Sequence, residues 1–160
     1  MATTDKYDRQ LRLWGAKGQR ALGDTCVVLI GASASGTETL KNLVLPGIGS
    51  FCVVDDAVVS KQDIASNFFL SSIDASKSRA EVTCEYLQEL NPDVKGAFQT
   101  VSNLSGIVDW NTVFRKETNG KDKFMIIASD LDPNVLTSLS QACSIEKLPL
   151  LVVQSYGLIG

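Results

Sequence analysis

Short apolar runs rich in β-branched residues recur along the chain, and segments with helical spacing separate them. Cys26-Val27-Val28-Leu29-Ile30, Phe51-Cys52-Val53-Val54, Phe124-Met125-Ile126-Ile127-Ala128 and Leu150-Leu151-Val152-Val153 are too short for helices and apolar at successive positions. Such runs predict strands covered on both faces. Phe98-Gln99-Thr100-Val101 predicts a shorter, mixed one. Between them, Leu40, Leu43 and Val44 predict a helix over 36–45 that Pro46-Gly47 stops. Ala80, Cys84, Leu87 and Leu90 share a face of a helix over 77–90, which opens on a Ser78-x-x-Glu81 capping-box pattern and ends at Asn91-Pro92. A third helix is expected over 107–114, followed by a polar loop over 115–123 that contains Asn119-Gly120. Asp132-Pro133 is a helix start, and Val135, Leu136, Leu139, Ala142 and Cys143 supply the buried face that follows.

Buried strands alternating with helices require crossover connections, and these put helices on both faces of a parallel sheet. The expected fold class is therefore α/β, a doubly wound, mainly parallel Rossmann-like sheet preceded by an N-terminal helical arm. In that arm Tyr7, Leu11 and Trp14 fall on one helical stripe and are expected to pack. The division expected is an arm over 1–23 and the Rossmann-like domain over 24–160. A chain of 160 residues is about one domain's worth.

The chain contains no histidine. Ser-His-Asp and Cys-His nucleophiles, an imidazole general base and any His-containing metal site are thereby excluded. Cys26, Cys52, Cys84 and Cys143 form no C-x-x-C pair, and their apolar flanks read as buried thiols. A net charge of −3 gives no nucleic-acid footprint. No apolar run is long enough to span a bilayer, and the start Met1-Ala2-Thr3-Thr4-Asp5-Lys6 lacks the apolar core of a signal peptide. The expectation is a soluble cytoplasmic protein with the nucleus as a second location, binding neither nucleic acid nor membrane.

Ligands of such sheets lie beyond the carboxyl ends of the strands. The turn after the first strand, Gly31-Ala32-Ser33-Ala34-Ser35-Gly36, has the length of a G-x-G-x-x-G phosphate loop but carries Ser33 in place of the middle glycine, where a side chain crowds the approach of phosphate. Asp55 ends the second strand 19 residues after Gly36, where an acidic ribose ligand belongs. Two readings stay open on the loop alone: a working nucleotide pocket, or glycines that only make the turn and an aspartate that only ends a strand.

Three further stretches bear on the choice. They are Tyr7-Asp8-Arg9-Gln10-Leu11-Arg12-Leu13-Trp14-Gly15, then Leu40-Lys41-Asn42-Leu43-Val44-Leu45-Pro46-Gly47-Ile48-Gly49-Ser50-Phe51, and Asn67-Phe68-Phe69-Leu70. Together with Leu87-Gln88-Glu89-Leu90-Asn91 and Tyr156-Gly157-Leu158-Ile159-Gly160, they resemble the ThiF/MoeB-like adenylation domains of ubiquitin-like-modifier activating enzymes. Within that family the chain is most similar to the regulatory, non-thioester-forming branch that serves the modifier Nedd. Members continue well past the position of Gly160, so the resemblance implies an N-terminal portion, incomplete at its C-terminus.

The resemblance implies a chemistry. A catalytic domain of the family binds ATP and magnesium, the modifier's C-terminal carboxylate attacks the α-phosphate, and a separate cysteine takes the acyl group as a thioester. Glycine-loop amides, an arginine, a lysine and an aspartate-held metal neutralise the phosphates. Carried onto this sequence, the pocket is degenerate: Ser33 replaces the middle glycine, Asp63 and Ser66 stand where active members have asparagine and arginine, and Arg79 takes the place of the lysine. Gly31, Gly36, Asp55 and Asp130 remain, the last matching the aspartate that supports the metal. The resemblance thus implies no catalytic residue in the chain's own pocket, no metal and no cofactor bound by the chain itself.

In paired adenylation domains the arginine of the N-terminal Arg-Gln motif reaches the opposite subunit's phosphates, which assigns Arg9 a role in trans. The other reading of Arg9 is a solvated residue on an amphipathic helix. The partners implied are the catalytic subunit of the Nedd-activating enzyme, which would hold ATP and magnesium in a heterodimer, and the modifier itself. Phe68-Phe69-Leu70 fits either a subunit interface or a core. The rivals are an active adenylyltransferase acting on a modifier or sulfur-carrier protein, the partner subunit of the Sumo-activating enzyme, and a nicotinamide-dependent oxidoreductase, which Ser33 and the want of a proton-transfer residue disfavour.

Overall fold

The computed structural model describes residues 6–107, 109–118 and 123–156. Five strands form one sheet: β1 (Thr25–Ile30), β2 (Ser50–Asp55), β3 (Lys95–Thr100), β4 (Lys123–Ser129) and β5 (Leu150–Val153). Their order is β3-β2-β1-β4-β5 and every pairing is parallel. The helices are α1 (Asp8–Gly23), α2 (Ala34–Val44), α3 (Lys61–Ser66), α4 (Arg79–Leu90), α5 (Asn111–Thr118) and α6 (Pro133–Glu146). The doubly wound sheet expected from the alternation is the fold observed.

The two-residue period of the strands sorts the core. Val27, Leu29, Phe51, Val53 and Ile127 face α2 and α4, against Leu40, Val44, Ala80 and Leu87. Cys26, Val28, Ile30, Cys52, Val54 and Ile126 point the other way, onto Trp110, Phe114, Leu139 and Cys143 of the α5 and α6 layer. All four cysteines are buried and outside any disulfide. Among the described residues no helix is long and apolar enough to cross a membrane.

Several boundaries differ from expectation for local reasons. Helix α2 starts at Ala34 rather than Gly36, because Ser33 caps it by accepting from Gly36 N at 3.2 Å. Strand β3 begins at Lys95, three residues earlier than expected, since pairing with Ser50–Asp55 carries the chain along although its own pattern is mixed. The helix expected over 107–114 begins at Asn111 after a 3-10 turn at Leu104–Gly106; Asp109 holds the start by accepting from Asn111 N at 2.9 Å. Of the expected loop over 115–123, residues 115–118 complete α5 and residues 119–122 lie outside the described residues. Within the β2–α4 crossover, where no element was expected, a Ser60/Asp63 capping box starts α3. Leu90, assigned to the buried face of α4, is 41% exposed.

The arm is not one continuous packing stripe. Gly15 has φ 70° and ψ 173°, which breaks α1 into two segments. Trp14 folds back, its indole N–H donating to Gln19 Oε1 at 3.0 Å, and Gln19 in turn donates to the Pro46 carbonyl at 2.9 Å. Leu13 stays largely exposed.

Candidate functional site

In the order 3-2-1-4-5 the connection after β1 leads toward β2 and the connection after β4 leads the other way toward β5, and this opens a crevice at the carboxyl ends of β1 and β4. The residues singled out in the sequence surround it. Gly31 has φ 83°, and a Cβ there would meet the Ser129 carbonyl oxygen at 2.4 Å, so only glycine fits the turn. Gly36 permits an equally close approach of α2 to Ser129. Ser33 does more than crowd the loop: besides capping α2, its hydroxyl lies 2.6 Å from the Ser129 hydroxyl and ties the turn to the end of β4.

Asp55 is fully buried at the end of β2. Its carboxylate accepts Ala32 N at 2.5 Å, Ala57 N at 2.8 Å, and both Nε and Nη2 of Arg79 at 3.0 and 3.1 Å. Four donors satisfy the four lone-pair directions of the two oxygens, two of them in a bidentate guanidinium fork. Arg79 is the first residue of α4, where a cation opposes the helix dipole; the two carboxylates offset this. Its Nη1 donates to Asp63 Oδ1 at 2.9 Å. Burial works against the charge on Arg79, but Asp55 and Asp63 outweigh it and hold the guanidinium above its ordinary pKa. Burial likewise raises Asp63, yet the Ser60 hydroxyl and amide together with Arg79 bring it below the usual carboxylate range. The three groups carry one net negative charge.

Asp130 sits at the end of β4 with φ 49°, a left-handed conformation that aspartate tolerates. Its carboxylate accepts Ser155 N at 2.7 Å and so links the ends of β4 and β5. Asp56, which sequence reasoning passed over, accepts Leu104 N at 2.9 Å and holds the loop after β3. Two clefts result. One of about 650 Å³ lies over the N-terminus of α2 and the start of α3 and includes Asp63 and Ser66; the other, of about 250 Å³, lies between Leu104 and Leu131. Ser33, Arg79 and Asp130 line both. Among the described residues no three acidic or cysteine side chains come together as a metal site.

Arg9 lies away from this crevice on the exposed part of α1, with no ion pair among the described residues. The segment that carries it is anchored just before. Lys6 donates to Asn91 Oδ1 at 2.6 Å and pairs with Asp93 at 2.8 Å, and Asn91 donates to the Tyr7 hydroxyl at 3.1 Å and to the Val44 carbonyl at 2.8 Å. Phe68 is 92% exposed, whereas Leu70 is buried against Val59 and Val82, so the apolar stretch divides between surface and core.

The family model for ThiF matches residues 7–158. The chain belongs to the ThiF family. Among curated relatives, the NEDD8-activating enzyme E1 regulatory subunit of Xenopus laevis is 46% identical over 155 residues and that of Danio rerio 47%. Each alignment covers 97% of this chain and 28% of the relative, so the chain spans little more than a quarter of those proteins. The solved structure of E. coli tRNA N6-threonylcarbamoyladenosine dehydratase, TcdA, in complex with AMP superposes with a TM-score of 0.77 over 93% of this chain and 58% of that one, at 19% identity. That likeness shows that the ThiF-family fold is shared. The structure thus has the fold expected of ThiF/MoeB-like adenylation domains, and the resemblance seen in the sequence is borne out at the level of family and relatives.

Proposed function

We propose that this ThiF-family chain is the N-terminal adenylation-like region of the regulatory subunit of a NEDD8-activating enzyme, working as the partner of a catalytic subunit and not as an adenylating enzyme by itself. The observation that carries the proposal is identity of 46–47% over nearly the whole chain to proteins of that name. The catalytic subunit would hold ATP and magnesium and adenylate the modifier, and this chain would complete the heterodimer and supply Arg9 to the opposite site. An exposed guanidinium on a segment anchored through Lys6, Tyr7 and Asn91 supports that role, because a planar fork held at the end of a fixed arm suits bidentate contact with phosphate.

The residues of the chain's own crevice do not fit a nucleotide as they stand. Asp55 has no acceptor direction left for ribose hydroxyls, and Arg79 is committed to two carboxylates. The test is to reconstitute the chain with a NEDD8-activating catalytic subunit and follow modifier adenylation. Adenylation should require this chain and fall with Arg9→Ala, while ATP–pyrophosphate exchange by the chain alone should be absent. Full activity of the catalytic subunit alone would refute the partner role, and exchange by the isolated chain would favour an active adenylyltransferase.

A further inference from the structure

Arg79 and Ser33 stand between the two clefts at the carboxyl ends of β1, β2 and β4, and both side chains line each cleft. Asp55 lies fully buried directly beneath the guanidinium. In a doubly wound sheet a nucleotide sets its phosphates on the amides that open the first crossover helix and its ribose on the acidic residue that ends the second strand. Here the guanidinium of Arg79 already occupies that acidic residue. Arg79, with Ser33 and Asp130, lines both the cleft of about 250 Å³ and the cleft of about 650 Å³.

We infer that Arg79 is the residue that closes this crevice to nucleotides, its guanidinium making with Asp55 and Asp63 the contacts that a bound ribose and its neighbours would otherwise make. The inference deepens the reading of the crevice as degenerate and rests on it. Three features carry it. The Asp55 carboxylate is saturated, so a ribose can bind only by displacing two charge-assisted bonds and offering neutral hydroxyls in exchange. Removing Arg79 from Asp55 without a replacement cation leaves a buried carboxylate unpaired, a penalty equivalent to about a hundredfold in affinity or more. The Asp63 carboxylate, 2.9 Å from Nη1, holds the far side of the guanidinium, so rotation outward breaks a second ion pair. The same contacts join the end of β2, the start of α3 and the first residue of α4, so the arginine fixes these loops with no ligand.

The experiment compares AMP binding by calorimetry to the unaltered chain, to an Arg79→Lys/Asp63→Asn double variant and to Arg79→Ala. Lysine has a single ammonium in place of the fork, and asparagine keeps the α3 cap while removing its charge. The unaltered chain is expected to bind AMP more weakly than about 1 mM, and the double variant at least about tenfold more tightly. AMP binding by the unaltered chain below about 1 mM would overturn the degenerate reading itself. Failure of both folded variants to gain affinity, with the unaltered chain also not binding, would overturn the role of Arg79 alone. Should neither variant fold, the Arg79 Nε–H resonance of the unaltered chain decides. Protection from exchange and indifference to millimolar AMP support the closure, and rapid exchange refutes it.

Discussion

The Arg79 guanidinium meets the Asp55 carboxylate edge to edge, Nε at 3.0 Å and Nη2 at 3.1 Å, while its third nitrogen lies 2.9 Å from Asp63. Asp55 has no exposed surface and the Arg79 side chain is 19% exposed, so water cannot take over if the cation is removed. Arg79→Met should cost about 3 kcal/mol in urea unfolding, the range in which breaking a buried pair from one side falls. Arg79→Lys should recover part of the loss by returning the charge without the fork. A loss below about 1 kcal/mol would mean that the pair does not hold these loops.

Acid should weaken the fold through Asp63 and Asp74. Burial raises both carboxyls, but Ser60 and Arg79 for Asp63, and Ser71, Tyr86 and Lys77 for Asp74, bring both below the ordinary value. A folded-state pKa below the unfolded one contributes stability that is present above the unfolded value of about 3.9 and disappears as pH falls through the folded one. Stability measured by denaturant titration should therefore change little, as far as these groups are concerned, from about pH 7 to 5 and drop below about 4. Asp63→Asn and Asp74→Asn should each flatten that drop.

Gly31 and Gly47 both have positive φ, yet alanine at the two should differ in consequence. At Gly31 the added methyl would lie 2.4 Å from the backbone oxygen of Ser129, which the sheet cannot move, so Gly31→Ala should abolish soluble expression or cost more than about 4 kcal/mol. At Gly47 the methyl would lie 2.7 Å from the Tyr7 hydroxyl oxygen, the end of a side chain on the arm. Gly47→Ala should cost about 1–2 kcal/mol, the strain of a left-handed alanine, plus the displacement of Tyr7. In a double-mutant cycle with Tyr7→Ala the second part should vanish, and strict additivity would contradict the contact.

Thiol chemistry should report the core. Burial pushes the Cys143 thiol up to about 11, and Cys26, Cys52 and Cys84 are buried as well. At about pH 8 a disulfide reagent should therefore react slowly with the native chain and rapidly with four thiols in denaturant, because the thiolate is the nucleophile. A rapidly reacting native thiol would show that a core face opens.

Strands β1, β2 and β4 were legible within a residue or two because each is buried on both faces, and an apolar run then needs no partner to be recognised. The apolar run of β5 was legible too, but the two-sided cover expected for it is not found, because it is an edge strand with Leu151 and Val152 close to half exposed. The Asp132 cap of α6 was legible for a local reason too, its carboxylate accepting from Asn134 N two residues on, at 2.8 Å. Strand β3 was less so: it lies at the sheet edge, and its start at Lys95 follows from pairing with β2. Helix α3 carried a readable Ser60-x-x-Asp63 signal, but its shortness hid it among the polar residues of the crossover. Ser33 was read as an obstacle to phosphate; that it also caps α2 and binds Ser129 depends partly on a residue 96 positions away.

The sequence by itself determined the alternation of strands and helices, the two-sided burial, and which residues stand at the strand ends, since these follow from periodicity and from turn chemistry within a few positions. It also marked Asp55, Asp63 and Arg79 as members of one crevice, through the family resemblance. Only the tertiary structure decided what they do there. Arg79 reaches Asp55 across 24 residues and Asp63 across 16, and that pairing exists because the 3-2-1-4-5 sheet brings the end of β2 and the starts of α3 and α4 to one point. No local pattern encodes whether a carboxylate at a strand end stays open to a ligand or is filled by an arginine. That depends on distance, burial and the count of donors around its two oxygens.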